Sequence, residues 1–308
     1  MKVFLVVPTR NPGALWPRWL AAVQAQALQG SAALSGLVVD SASTDGTSFA
    51  DLPQGWQLLR IAAADFNHGG TRNLALQHLP EGTDVVVFMT QDAILAGAGA
   101  VQALLSAFED PDVACAYGRQ LPHADASPVA AHARLFNYPA QSRVLGLSDK
   151  ARLGLKTCFI SNSFAAYRVP DLLAVGGFAS DVILGEDMAA AARLLMAGKR
   201  SAYVAEACVY HSHNYSVAQE FRRYFDTGVF HARNPWLLAE FGSAGGEGLR
   251  FVRSELVYLL RHAPLWLPAA VLRTAAKWLG YKLGRHEALW PVPFKRWCSM
   301  HRGYWRQA

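Results

Sequence analysis

Short apolar runs that end in polar loops dominate the first hundred residues of this chain. Residues 3–7, 37–39 and 85–89 each form such a run, and polar residues follow each of them directly. Between the first two runs, residues from Trp16 to Leu28 carry apolar side chains at helical spacing. Strands that alternate with helices in this way predict an α/β domain with a mainly parallel sheet.

Open parallel sheets bind ligands outside the carboxyl ends of their strands. The loops that begin at Thr9, Asp40 and Gln91 follow the three apolar runs. We therefore expect these loops to converge at one edge of the sheet and to form a binding site there.

The stretch DFNHGGTRN, residues 65–73, lies between the second and third apolar runs. Gly69 and Gly70 can adopt backbone conformations closed to other residues and can let a ligand approach the main chain. A helix that begins near Thr71 would direct its free amide groups at an anion. An ordinary strand-to-helix turn is the alternative interpretation.

Glu186 and Asp187 precede an apolar helical stretch, residues 188–196. Acids in the first turn of a helix complement its dipole and stabilise its end. A carboxylate at the mouth of a cleft can also act as a general base. The sequence leaves both roles open.

A second group of candidates is Asp92, His211 and His213. Asp92 follows a buried run directly, and its oxygens are ligands that Mg²⁺ or Mn²⁺ accepts. The two histidines are two residues apart, so on an extended segment their side chains point the same way. A loop-forming aspartate and a pair of structural histidines are the alternatives.

The four cysteines show no metal-site or disulfide spacing, so we expect neither a zinc site nor a disulfide framework, and a reducing, cytosolic setting fits best. The apolar run at the start is too short for a secretory signal. Residues 121–157 are rich in Pro, Ala and polar side chains, which predicts a long, partly mobile connection.

The C-terminal part differs from the rest of the chain in charge. From Arg250 onward there are eleven Lys or Arg residues and two acids, a net charge of +9, whereas the preceding residues carry −3. Five of the nine tryptophans also lie there. This contrast predicts a catalytic domain at residues 1–245 and a basic, Trp-rich helical extension at residues 246–308.

The extension contains one apolar stretch, APLWLPAAVL, which is broken by Pro268 and is shorter than a membrane span. Basic helices with interfacial tryptophans bind anionic lipid surfaces, so we expect the extension to lie on a membrane. A helical subdomain packed on the catalytic core is the alternative. No recognised nucleic-acid-binding module accompanies the basic residues, so no nucleic-acid partner is expected.

Taken together and in order, the motifs resemble those of the family 2 inverting glycosyltransferases of the GT-A fold, a Rossmann-like architecture. They are most similar to bacterial rhamnosyltransferases of O-antigen and lipopolysaccharide synthesis. The similarity extends over nearly the whole chain. The segments that carry it are VVPTRN (6–11), VVDSASTDGT (38–47), FNHGGTRNLA (66–75), FMTQDA (88–93), GEDM (185–188) and VYHSHNYS (209–216).

The resemblance implies three sets of site residues. Asp187, with Glu186 beside it, matches the catalytic acidic pair. Asp92 matches the second acid of the metal-binding Asp-x-Asp motif, with Thr90 in place of the first, and His211 or His213 matches a histidine near the metal or diphosphate. The positions that match the nucleotide-sugar site are Pro8, Thr9, Arg10, Asp40, His68, Gly69, Gly70, Arg72, Asn73 and Gln91.

The resemblance also implies a reaction and its partners. Asp187 would deprotonate an acceptor hydroxyl, which attacks the anomeric carbon as the nucleotide diphosphate departs, with Mg²⁺ or Mn²⁺ as cofactor. The expected donor is dTDP-L-rhamnose, and the expected acceptor is a lipopolysaccharide-core or lipid-linked saccharide at the cytoplasmic face of the inner membrane. A UDP- or GDP-hexose donor, a sugar-1-phosphate nucleotidylyltransferase and a non-enzymatic scaffold are the alternatives.

Overall fold

The computed structural model describes residues 1–28, 34–242 and 246–306. Within these residues, nine strands form one sheet in the order β3-β2-β1-β4-β8-β6-β9-β5, and β7 pairs with β9. The strands are β1 (Val3–Thr9), β2 (Ser35–Asp40), β3 (Trp56–Arg60), β4 (Val85–Met89), β5 (Ile94–Leu95), β6 (Val113–Leu121), β7 (Arg143–Leu145), β8 (Phe164–Arg168) and β9 (Arg200–Tyr210).

The first half of the sheet is parallel, as the sequence predicts. β1 lies between β2 and β4 and runs parallel to both, and β2 is parallel to β3. The second half is mixed, because β8 runs antiparallel between β4 and β6, whereas β9 is parallel to β6. The carboxyl ends of β1, β2 and β4 therefore lie side by side.

Helices cover both faces of the sheet. They are α1 (Leu15–Gln24), α2 (His68–Leu76), α3 (Ala100–Leu105), α4 (Pro128–Asn137), α5 (Lys150–Leu153), α6 (Val169–Ala174), α7 (Glu186–Met196), α8 (Val217–Arg233), α9 (Pro235–Phe241), α10 (Glu247–His262), α11 (Leu267–Arg285) and α12 (Val292–Cys298). Alternate residues of a strand point to opposite faces. Phe4 and Val6 of β1 accordingly join one buried cluster, and Leu5 and Val7 join another.

Two local predictions are wrong. The helix expected from Trp16 to Leu28 ends at Gln24. The long, partly mobile connection expected at residues 121–157 is instead ordered and contains α4, β7 and α5. Ser127 accepts a hydrogen bond from Ala130 N and Pro128 occupies the first turn of α4, two features that favour a helix start.

The C-terminal extension is helical and packs on the preceding residues. Helices α8 and α11 touch through their backbones, because a Cβ at Gly284 would lie 2.0 Å from the carbonyl oxygen of Phe225. Beyond α12, Trp305 is buried in the larger core cluster. The predicted boundary at residue 245 lies outside the described residues. No helix among residues 1–28, 34–242 and 246–306 is long and apolar enough to cross a membrane.

Candidate active site

The loops after β1, β2 and β4 meet, as the strand pattern predicts. Thr9 and Asp40 are register partners at the ends of β1 and β2. The side chain of Gln91 makes two hydrogen bonds to the loop after β1. Its Oε1 accepts from Arg10 N at 2.7 Å, and its Nε2 donates to Arg10 O at 3.0 Å. Pro8 precedes these residues within β1.

The loop after β2 is held in a constrained shape. Asp40 is buried, and its Oδ1 accepts from Ser43 Oγ at 2.5 Å, while Ser43 Oγ accepts from Asn11 N at 2.8 Å. Ala42 has a φ of 54°, a left-handed conformation that costs a residue with a Cβ about 1–2 kcal/mol. Strain of this kind is found at binding sites, where the surrounding structure enforces it.

Helix α2 begins three residues earlier than predicted. Asn67 caps it by accepting from Gly70 N at 2.8 Å, so the first helical residue is His68 rather than Thr71. Gly69 and Gly70 lie inside the helix, and neither has a positive φ. The expectation of an unusual glycine backbone is therefore wrong. Gly69 instead meets protein, because a Cβ there would lie 1.8 Å from Ala179 O.

The two adjacent glycines give a matched pair of variants. Gly69→Ala would force α2 away from residue 179, and overpacking of this kind costs typically 1–3 kcal/mol or more. At Gly70 a Cβ would meet only Asn67, at 3.4 Å or beyond, and alanine is the better helix former. We expect Gly69→Ala to lower the midpoint of thermal unfolding by several degrees and Gly70→Ala to leave it within about two degrees. Equal effects would contradict the observed packing.

The side chain of Arg72 faces the acidic pair. Its Nη1 lies 3.0 Å from Glu186 Oε1 and donates to His68 O at 2.8 Å, and both charged side chains are buried. The Nε of Arg72 is buried without a protein partner. Asn73, predicted to contact the nucleotide, bonds to the backbone of Phe178 through both its Oδ1 and its Nδ2.

Asp187 stands beside Glu186 at the start of α7 and is half-buried. Its Oδ2 accepts from Asn162 N at 3.1 Å, and its Oδ1 accepts from Met188 N at 2.8 Å. The Asn162 side chain donates to Glu186 at 3.3 Å and accepts from the hydroxyl of Tyr167 at 2.9 Å. Asn162 therefore fixes both acids.

The environment separates the pKa values of the two acids. Burial alone raises the pKa of Glu186, but the charges of Arg72 and His68 outweigh it and hold this pKa below its usual range. Burial and the neighbouring Glu186 charge raise the pKa of Asp187 to about 7. One acid thus stays ionised while the other can exchange a proton near neutral pH, which is the property of a general base.

Asp92, His211 and His213 form a group that could hold a metal ion. One possible ligand atom from each lies within 4.8 Å of the others. Asp92 Oδ2 is 3.5 Å from His211 Nε2 and 3.8 Å from His213 Nε2. Burial and the neighbouring His211 lower the pKa of His213 to about 4, so this histidine is neutral, the form that binds metals.

Gln120 holds the ring of His211 in place through one of its two nitrogens. Its Oε1 lies 2.9 Å from His211 Nδ1 and also accepts from Arg134, while its Nε2 donates to Ser161 Oγ at 3.0 Å. Because Oε1 can only accept, His211 must carry its proton on Nδ1. Nε2 faces Asp92. Such outer hydrogen bonds orient metal-binding histidines.

The segment 161–163 joins the acidic pair to the potential metal ligands. Ser161 bonds to Gln120 and Asn162 bonds to Glu186 and Asp187. Ser163 O accepts from the backbone of Thr90 at 3.4 Å, two residues before Asp92. The acidic pair and the potential metal ligands therefore lie near the same edge of the sheet.

The C-terminal extension also reaches this region. The ring of His301 lies 5.0 Å from that of His68, and His301 N and Met300 N donate to the buried carboxylate of Asp226. Burial lowers the pKa of His301 to about 3, so its ring is neutral. His301, Asn162 and Gln120 were not predicted from the sequence. A signal existed only for Asn162, which lies in the polar SNS triplet before β8.

Known proteins resemble this chain over nearly its full length. The description "Glycosyl transferase family group 2" matches residues 85–224. The O-antigen chain rhamnosyltransferase RfbN of Salmonella typhimurium is 50% identical over 306 residues, which cover 99% of this chain and 96% of RfbN. The chain belongs to the family 2 glycosyltransferases. The O-antigen chain rhamnosyltransferase WbaN of Salmonella anatum is 51% identical over 302 residues, which cover 98% of this chain and 95% of WbaN.

Solved structures confirm the predicted glycosyltransferase fold. The mannosyltransferase PcManGT from Pyrobaculum calidifontis, solved with GDP-Man and Mn²⁺, superimposes with a TM-score of 0.57 at 22% identity, covering 98% of this chain and 84% of its own. S. aureus TarS 1-349 in complex with UDP gives a TM-score of 0.51 at 14% identity, covering 94% of this chain and 91% of the TarS chain. The predicted family and enzyme class are confirmed, and the nucleotidylyltransferase and scaffold alternatives lose their support.

Proposed function

We propose that this family 2 glycosyltransferase transfers L-rhamnose from dTDP-L-rhamnose, with inversion, onto a hydroxyl of a lipid-linked or lipopolysaccharide-core saccharide. The identity to two O-antigen chain rhamnosyltransferases supports the sugar and the type of acceptor. The observation that carries the inverting mechanism is the geometry of the acidic pair, in which Glu186 is paired with Arg72 at 3.0 Å and Asp187 is left as the one base that inversion needs. The raised pKa of Asp187 agrees with this role.

In the proposed mechanism, Asp187 accepts the proton of the acceptor hydroxyl. The hydroxyl oxygen then forms a bond to the anomeric carbon as the bond to the nucleotide diphosphate breaks. Glu186 remains ionised through Arg72, and Asn162 holds Asp187 in place. These residues prepare the base before the acceptor arrives, which reduces the reorganisation needed in the transition state.

Negative charge accumulates on the departing diphosphate. We propose that Asp92, His211 and His213 hold a divalent cation, Mg²⁺ or Mn²⁺, which would neutralise that charge when bound. Their convergence on one point, with His211 oriented by Gln120 so that Nε2 faces Asp92, fits such an ion. A three-ligand site leaves positions free for substrate oxygens.

We also propose that the enzyme works as a peripheral protein at the cytoplasmic face of the inner membrane. Exposed apolar side chains are frequent in the extension, including Leu265, Trp278 and Trp297, which are 93%, 63% and 61% exposed. Exposed arginines and lysines accompany them. This composition suits contact with an anionic lipid surface, where the lipid-linked acceptor would be found.

The donor is tested by incubating the purified enzyme with single nucleotide sugars and Mn²⁺ or Mg²⁺ and measuring nucleotide diphosphate release. We expect release from dTDP-L-rhamnose to exceed that from UDP-glucose, UDP-galactose or GDP-mannose by at least about tenfold, a difference of 1.4 kcal/mol in the barrier. A preference for a UDP- or GDP-hexose would replace rhamnose as the donor while leaving the family unchanged.

A further inference from the structure

A cationic groove lies between helices α4 and α10, away from the acidic pair. Its volume is about 650 Å³. Arg250, Arg253 and Arg261 line one wall, and they lie on one face of α10 because they are spaced by three and eight residues. Among the residues that the structure describes, no aspartate or glutamate lines the groove. Its charge therefore favours an anionic ligand.

Two of these arginines are available to a ligand. Arg250 Nη2 is paired with Glu247 at 2.6 Å. Arg253 and Arg261 are exposed and make no ion pair with any residue that the structure describes. The guanidinium group offers a planar fork of donors that matches two oxygens of a phosphate, so free arginines of this kind suit phosphate groups.

A buried histidine forms the inner wall of the groove and has an unused polar atom. His132, on α4, is 3% exposed, and its Nε2 bonds to Ser254 Oγ at 2.9 Å. Its Nδ1 is buried and has no partner in the protein. The bond between His132 and Ser254 therefore joins α4 to α10 at the inner wall of the groove.

The rim of the groove is apolar, which distinguishes it from a site for a free anion. Leu135 and Val257 line the groove and are 44% and 41% exposed. A ligand with both a phosphate and a hydrocarbon chain would cover these side chains.

Helix α4 separates the groove from the proposed metal ligands. On one side, His132 faces the groove. On the other, Arg134 donates to Gln120, which bonds to His211. The loop before α4 is tied to the same region, since Ser127 N donates to Asn214 Oδ1 at 2.7 Å. A ligand in the groove therefore lies one helix away from the proposed reaction centre.

We propose that the groove between α4 and α10 binds the phosphate of a lipid, with the hydrocarbon chain over its apolar rim. This inference rests on the proposed function, in which the acceptor is attached to a lipid. Binding here would place a membrane lipid beside the reaction centre rather than merely hold the extension near the membrane. The groove thus determines how the enzyme is oriented on the bilayer.

Vesicle binding tests the proposal without donor or acceptor, so it is independent of the donor experiment. The full-length protein is titrated with phosphatidylcholine vesicles that contain 30% phosphatidylglycerol or none. The test variant is Arg253→Gln/Arg261→Gln. The matched control is Lys282→Gln/Arg296→Gln, which removes the same charge from exposed positions of the extension outside the groove. Thermal unfolding verifies that both variants are folded.

We expect the groove variant to bind anionic vesicles at least about tenfold more weakly than the control variant does, whereas general surface attraction would weaken both alike. Arg253→Lys/Arg261→Lys keeps the charge, and weaker binding by this variant than by the wild type supports the guanidinium fork. Equal losses in the two glutamine variants, or full binding by the lysine variant, would overturn the site. Binding of inorganic pyrophosphate that depends on Arg253 and Arg261, without vesicle binding, would overturn the lipid as ligand.

Discussion

Replacing Asp187 by asparagine is expected to abolish sugar transfer while donor binding remains. An amide has nearly the same shape but cannot accept the proton of the acceptor hydroxyl. A positioned general base contributes about 10²–10⁴-fold to a rate, so turnover should fall by at least that factor. Calorimetric titration with dTDP and Mn²⁺ should give an affinity close to that of the wild type.

The control for this variant is Asp181→Asn, which changes an exposed acid five residues before Glu186. It should retain wild-type turnover. Near-normal turnover by Asp187→Asn would remove Asp187 from the role of base. A parallel loss of dTDP affinity would assign it to donor binding instead.

The raised pKa of Asp187 also fixes the direction of two pH effects. Because its pKa is about 7 in the folded protein, turnover should rise with pH through about 7 and then level off. The folded state binds the Asp187 proton more tightly than the unfolded chain does, so ionisation of this group costs stability as pH rises through 7. Asp187→Asn should therefore raise the unfolding temperature at pH 8 but change it less at pH 5.

The sequence predicts those parts of the site that strand geometry alone brings together. Residues at the carboxyl ends of β1, β2 and β4 must converge when these strands are parallel and adjacent, and Thr9, Asp40 and Gln91 do so. The proximity of His211 and His213 to Asp92 agrees with the same logic, since β5 pairs with β9 just before these histidines.

Residue types alone could not show which side chains pair or pack with one another in the folded chain. Arg72 belongs to a motif that suggests a diphosphate contact, yet in the structure its guanidinium pairs with Glu186. Gly69 suggests a backbone that binds a ligand. In the structure, the absence of a side chain at Gly69 instead lets the backbone of Ala179 pack closely against α2. These contacts join residues more than a hundred positions apart and depend on tertiary packing, which local pattern does not encode.

His301 illustrates the same limit for the extension. Charge and tryptophan content predict a membrane-associating unit, but they give no reason to place one of its residues against His68. The buried carboxylate of Asp226, on α8, holds the backbone of Met300 and His301. The extension therefore contributes to the region of the site as well as carrying the lipid-facing surface that we propose.

Removing the carboxylate of Asp92 should have the second largest effect, because Asp92 is the only acid in the group of three potential metal ligands. We expect Asp92→Asn to weaken Mn²⁺ binding by more than the roughly 10–100-fold that follows loss of an outer-shell partner. Turnover of Asp92→Asn at micromolar Mn²⁺ should fall by at least the same factor as its Mn²⁺ binding. Gln120→Leu, which leaves all three potential ligands but removes the acceptor for His211 Nδ1, should give the smaller, outer-shell loss.

Electron paramagnetic resonance measures free Mn²⁺ directly and so reports binding without turnover. Titration of the wild type should deplete the free Mn²⁺ signal, and excess chelator should stop transfer. Asp125→Asn, at an exposed acid in the loop before α4, is the matched control and should bind Mn²⁺ like the wild type. Wild-type Mn²⁺ affinity in Asp92→Asn would show that the cation is held elsewhere. Full turnover of the wild type in excess chelator would show that transfer needs no divalent cation.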